Sequence, residues 1–215
     1  MSYVQLSGLA LPVVMGALLA CSNDPGSDSG TDAGMDSGTD AGADSGMDSG
    51  VAERRMFITN TVQNADFGGI AGADELCAAQ AADANLEGDF KAWLSTRSSS
   101  VSDRLTRSNG PYVLVDGTTV ANDWDDLVNG SILASINLDA NGERRTGDVW
   151  TGTLATGDSY PNDDCAAFTS GSGGTALCGA SASTDAKWTQ NITPACSTRL
   201  RLYCIEQGPQ TAKGD

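Results

Sequence analysis

"ACSTRLRLYCIEQ", residues 195–207, sets two cysteines around an alternating run, and the partners of those cysteines decide the fold. A strand's period of two puts Leu200, Leu202 and Cys204 on one face and Arg199, Arg201 and Tyr203 on the other. Cys204 therefore points into the core with the leucines, where a bridge to an early helix would sit. Cys77, beside Leu76, is placed on such a helix. Closing so long a loop restricts the unfolded chain by about 4–5 kcal/mol in the chain-entropy model. Cys165, Cys178 and Cys196 remain, and spacing alone leaves the full connectivity open.

The chain has 215 residues, enough for one domain or two small ones, and a net charge of −16. That charge argues against a nucleic-acid or anionic-membrane surface, which needs clustered Lys and Arg. There is no histidine. Ser-His-Asp and Cys-His catalysis and every His-containing metal site are thereby excluded. None of the six cysteines forms a C-x-x-C pair, so zinc ribbons and thioredoxin-type redox chemistry are not expected. Widely spaced single cysteines fit disulfides in an exported protein.

Residues 8–20, "GLALPVVMGALLA", are apolar and uncharged but shorter than the about 20 residues of a membrane span. They read as the apolar core of a signal peptide covering residues 1–20. The run ends "LLAC", which resembles a bacterial lipoprotein signal with Cys21 as the lipidated residue, although no Lys or Arg precedes it. From Asp28 an Asp-(Ser/Ala)-Gly-x unit repeats, with Asp32, Asp36, Asp40, Asp44 and Asp48 in register. Such a segment has nothing to bury and its charges repel, so residues 21–50 read as a disordered, extended tether. A folded domain is expected over 51–208, followed by a disordered tail, 209–215. The tether holds seven of the 28 acids and no base, which leaves 21 acids against 12 bases beyond it.

Within the domain the patterns predict a strand at 56–59, a helix over 72–85, a strand at 90–94 and a helix over 101–105. The stretch "PYVLVDGTTVA" reads as a hairpin turning at Asp116-Gly117. "NDWDDLVNG" reads as a short helix capped by Asn122 or Asp123 and stopped by Gly130. "VWTGT", "CAAFTS", "KWTQ" and "RLRLYCIEQ" read as late strands, and the Gly/Ser-rich 170–184 as a long loop. The sum is an α+β domain.

"ADELCAAQAADANLEGDFKAWLSTR" resembles the opening of endostatin, the C-terminal module of some basement-membrane collagens. "PYVLVDG", "DWDDLVNG", "VWTGT", "DCAAFTS" and C-x7-C-I-E follow in the same order, so the resemblance spans about residues 54–207. The chain is also similar to bacterial lipoprotein domains of unknown function that share this pattern. The resemblance implies a C-type-lectin-like (endostatin-like) fold with two nested disulfides, Cys77–Cys204 and, inside it, Cys165–Cys196. Cys178 has no counterpart and is expected as a free thiol in a flexible loop or a site of intermolecular pairing.

The resemblance implies three functional sites, and the residues here depart from each. Endostatin's zinc site uses N-terminal histidines, which this chain lacks. Its heparin site uses clustered arginines; here Arg54/Arg55, Arg144/Arg145 and Arg199/Arg201 are the close pairs, on an acidic domain, and read as solvated surface or local ion pairs. C-type lectins hold calcium and sugar at Glu-Pro-Asn and Trp-Asn-Asp. In "SYPNDDC" and "KWTQN" only Pro161-Asn162 survives of the ligand pattern, leaving Asp158, Asn162, Asp163 and Asp164 as weak calcium candidates. Trp150 and Trp188 read as core. Asp163 and Asp164 as a glycosidase pair, or the serines of "SSSVSDR" as nucleophiles, have no supporting base or spacing.

The expectation is a non-enzymatic lipoprotein of the bacterial cell envelope, anchored through its N-terminal lipid, outer-membrane and surface- or periplasm-facing. Its domain is read as a recognition or adhesion module without a cofactor, for a protein or glycan ligand and not for nucleic acid. The alternative is a calcium-dependent lectin using the 158–164 loop.

Overall fold

The computed structural model describes residues 52–208. The expected signal peptide, lipidated Cys21, tether and 209–215 tail lie outside the described residues.

Among the described residues, seven strands and three short-to-medium helices alternate. β1 (Arg54–Ile58), α1 (Gly69–Asp83), β2 (Phe90–Ala92) and α2 (Val101–Arg104) come first. β3 (Tyr112–Leu114), β4 (Thr119–Ala121), α3 (Trp124–Leu127), β5 (Asp148–Trp150), β6 (Cys178–Ala180) and β7 (Tyr203–Glu206) follow. The main sheet has the order β2-β7-β1-β3-β4, with β1 and β3 parallel and the other pairs antiparallel. β5 and β6 form a second, two-stranded sheet.

The closing strand lies between β1 and β2. Met56 pairs with Ile205, Phe57 with Cys204 and Ile58 with Tyr203. Phe57, Cys204 and Leu202 belong to one buried cluster, beneath α1, together with Cys77 and Phe90. Met56, Ile58, Tyr203 and Ile205 belong to a second cluster on the other face. Both faces of the central strands are thus covered. This is why Tyr203, on the face opposite Cys204, is as buried as the cysteine.

α1 buries a stripe of small residues, Ala73, Cys77 and Ala81, with the Gln80 side chain satisfied by Asn60 and Thr61. Small side chains let the helix sit close on β2. Asp74 then reaches the Ala92 N–H at 2.9 Å and pairs with Arg104. Glycine is required at Gly72, where a Cβ would come within 1.8 Å of the Phe67 carbonyl oxygen. At Gly117 the hairpin needs φ +86°, which the Asp-Gly turn supplies. α3 is capped by the Asp123 carboxylate, which accepts from the Asp126 N–H at 2.8 Å.

Two disulfides staple this framework, Cys77–Cys204 across 127 residues and Cys165–Cys196 across 31. They are the nested pair that the family resemblance implies. The first joins α1 to β7, and the second joins two loops beside the small sheet.

Three elements differ from the sequence reading. "CAAFTS" is no strand: Cys165–Phe168 form one turn in which all four residues have φ between +53° and +60°. "KWTQ" is likewise no strand but a 3-10 turn, Ala186–Trp188, capped by Asp185. Its apolar Trp188 is buried from a turn instead, packed 5.0 Å from Trp93 and 5.8 Å from Tyr203 between ring centroids. The stretch 170–184 contains β6, Cys178–Ala180, which pairs with β5. Cys178 is therefore a fully buried free thiol in a strand and not a loop thiol open to a second chain. Trp150 and Trp188 are both fully buried, as core residues.

Candidate functional site

Each carboxylate of the 158–164 loop accepts hydrogen bonds within the fold. Asp158 accepts from the Thr156 hydroxyl at 2.8 Å and closes a turn whose Leu154 N–H bonds to the Asp158 carbonyl. Asp163 accepts from the Thr175 N–H at 2.7 Å and packs on Gly174. Asp164 is buried, accepts from the N–H groups of Arg97 and Ala167 at 3.0 and 2.9 Å, and faces the Arg97 guanidinium. Burial opposes ionisation of Asp164, but those two N–H donors and the Arg97 charge prevail and hold its carboxyl below the usual range. Asn162 is exposed. Calcium needs about six or more oxygens free to converge. These carboxylates are instead engaged in separate turns, and among the described residues no cluster of three or more acidic or cysteine side chains could hold a metal ion. The lectin reading of this loop is not favoured.

Most of the paired arginines act within the fold. Arg55 forms a two-pronged ion pair with Glu206 and also donates to the Glu87 carbonyl. Arg145 holds the buried Asp139 carboxylate at 2.8 Å. Arg199 and Arg201 donate to the carbonyls of Val62 and Thr59, each at 2.8 Å. Arg144 is different: it is exposed and makes no hydrogen bond or ion pair among the described residues. A polyanion would meet one free guanidinium on an acidic face, and not the clustered arginines of a heparin site.

The buried hydroxyls of the core are likewise used within the fold. The buried hydroxyls of Ser95, Thr151, Thr153 and Thr189 bond to one another, to carbonyls and to the Trp93 indole N–H. They tie β2, β5 and the 186–188 turn together and have no base beside them.

Beside Arg144 lies a shallow groove of about 330 Å³ between the β3–β4 hairpin and the segment 133–138. Thr118, Ser135, Asn137 and Thr184 give it hydrogen-bonding walls, and Arg144 a charge. Leu133 sits on it with 59% of its surface exposed. A second hollow of about 280 Å³, lined by Asp116, Asn141 and Gly142, lies on the other side of Asp116. The fold holds the wall in place. Leu133 N–H bonds to the Val120 carbonyl, Ile132 N–H to Thr184, and Ile58 N–H to Leu138. Sequence reasoning missed this surface, although a signal was present. In "ILASINL" the residues Ile132, Ile136 and Leu138 alternate into the core, and Leu133 breaks that alternation on the solvent side. An apolar anchor, neutral donors and acceptors, one cation and the Asp116 carboxylate, which accepts from the Thr118 N–H, give this surface the groups to hold a ligand.

A doubly stapled α+β domain that carries its long irregular loops on one sheet defines a C-type-lectin-like module. The chain belongs to the family described as Collagenase NC10 and Endostatin, whose model matches residues 55–209. No curated protein matches it.

Proposed function

We propose that this protein is a cell-surface recognition or adhesion module of the bacterial envelope, lipid-anchored at Cys21 and held off the surface by its aspartate-rich tether. The observation that carries the recognition reading is the groove at Leu133 and Arg144. It is an exposed apolar anchor beside an unpaired cation, on a domain whose other arginines and loop carboxylates are engaged internally. Membership of the endostatin family supports a binding module over an enzyme. The acid excess supports a protein or glycan surface over a nucleic acid as the ligand.

Two measurements test this. Labelled fatty acid supplied to expressing cells is expected to enter the wild-type chain and not Cys21→Ser, with the variant leaving the membrane fraction. Equal labelling of the two would sink the anchor. Arrays of extracellular proteins and glycans are expected to give ligands whose binding falls at least about tenfold in Leu133→Asp/Arg144→Glu, as loss of a central anchor does. Ligands bound equally by both chains would place recognition on another face.

A further inference from the structure

Three Asn-Gly pairs occur in the described domain, at Asn109, Asn129 and Asn141, and the fold treats them differently. The Asn129 side chain is held at both ends: its amide donates to Asp126 at 2.9 Å, and its oxygen accepts from the Ser131 N–H and hydroxyl. At Asn109 the following Gly110 is buried, and its N–H donates to the Ser108 hydroxyl at 3.0 Å. Asn141 stands at the tip of the loop 139–145. Both it and Gly142 are exposed, its side chain makes no hydrogen bond among the described residues, and there is open space where a Cβ on Gly142 would stand.

We propose that Asn141 is a self-modification site, at which the folded domain converts asparagine to aspartate and isoaspartate. The chemistry needs only water. The deprotonated Gly142 amide nitrogen attacks the Asn141 side-chain carbonyl carbon, a C–N bond forms, and ammonia leaves with the proton that the backbone nitrogen gave up. Water then opens the cyclic imide at either carbonyl. One opening restores the main chain as aspartate; the other routes it through the side chain as isoaspartate. The Gly142 N–H donates to the Asp139 carbonyl at 2.9 Å, and the exposed tip lets water replace that bond while the nitrogen reacts.

The loop is built so that the product matters. The buried Asp139 carboxylate receives the Asn141 and Glu143 N–H groups, both at 3.0 Å, and the Arg145 guanidinium at 2.8 Å. Isoaspartate inserts an extra backbone carbon between two of those donors, so the Asn141 and Glu143 N–H groups no longer meet the Asp139 carboxylate together. Either product also adds a negative charge beside Asp139 and Glu143, on the wall of the hollow next to Arg144.

The test uses the full chain, folded and oxidised, held in mildly alkaline buffer at physiological temperature. It is then digested for peptide mass spectrometry that separates aspartate from isoaspartate. Loss of the Asn141 amide is expected to outrun that of Asn129 and Asn109 by on the order of tenfold, because hydrogen bonds restrain the other two. In the reduced, denatured chain the three rates should converge. Equal rates in the folded chain, or an intact Asn141 amide, would overturn the proposal. Hydrogen exchange on the isolated isoaspartyl form is expected to be faster at Glu143 and Arg145. Unchanged protection there would overturn the claim that the product remodels the loop.

Discussion

Cys178 and Asp164 show how one side chain's environment sets its chemistry. Burial, and then the charge of Asp148, push the Cys178 thiol up to about 12. It stays protonated at neutral pH and lacks the thiolate needed for alkylation or exchange. Cys178 should therefore resist iodoacetamide and disulfide exchange in the folded domain, and react once the domain is unfolded. Rapid labelling of Cys178 in the folded protein would contradict this environment. Asp164 works in the opposite direction. A carboxyl held below its unfolded value contributes stability that is present above that value and lost as pH falls through the folded one. Glu206 has the same sign: burial opposes its ionisation, but the Arg55 contacts prevail and lower it. Thermal melts should therefore drop on acidification below the ordinary carboxylate range. Asp164→Asn, which keeps one acceptor oxygen but no charge, should lower stability at neutral pH by about 2–3 kcal/mol and flatten that acid loss.

At the scale of one element, the turn Cys165–Phe168 is the least ordinary piece of backbone in the domain. Four consecutive residues without glycine lie in the left-handed region, each costing roughly 1–2 kcal/mol. The surroundings compel it. Asp164 holds the Ala167 N–H, the Phe168 N–H bonds to the Asp164 carbonyl, Cys165 is tied to Cys196, and Phe168 is buried against Phe67 and Trp150. In an ordinary helix an alanine-to-glycine change costs about 0.5–1 kcal/mol. Ala166 is exposed, so removing its Cβ loses little packing, and relief of the left-handed strain outweighs the entropy. Ala166→Gly should raise stability by about 0.5–1 kcal/mol in urea melts. A loss of that size would mean that the turn is right-handed. No local pattern in "CAAFTS" announces this turn, because alanine and phenylalanine carry no preference for it; only the contacts that fix its two ends do.

For the whole molecule, stability rests on the long-range staples as much as on the two hydrophobic clusters. In the chain-entropy model Cys77–Cys204 restricts the unfolded chain by about 4–5 kcal/mol and Cys165–Cys196 by about 3–4. Alanine at both members of the outer pair should thus cost more than at both members of the inner pair, measured by denaturant melts of each double variant. The reverse order would show that strain in the 165–168 turn, released with its bridge, governs the balance. Much of this design was legible in the sequence. Alternation in "RLRLYCIE" placed Cys204 in the core, the Asp-Gly pair placed the hairpin, the order of short motifs placed the family, and the absence of histidine removed whole classes of chemistry. These properties depend on residues near one another in the chain or on composition, so they survive without coordinates. What only the tertiary structure decided depends on residues far apart. The burial of Cys178 in β6 comes from β5, nearly thirty residues earlier. The left-handed turn comes from Arg97 and Cys196 acting with the adjacent Asp164, and the use of Asp163 and Asp164 within the fold from the distant N–H groups of Thr175 and Arg97. The groove at Leu133 exists because β4 and Thr184 pin its wall. A sequence records which groups are present; their neighbours across space decide whether each is spent on the fold or left free to meet a partner.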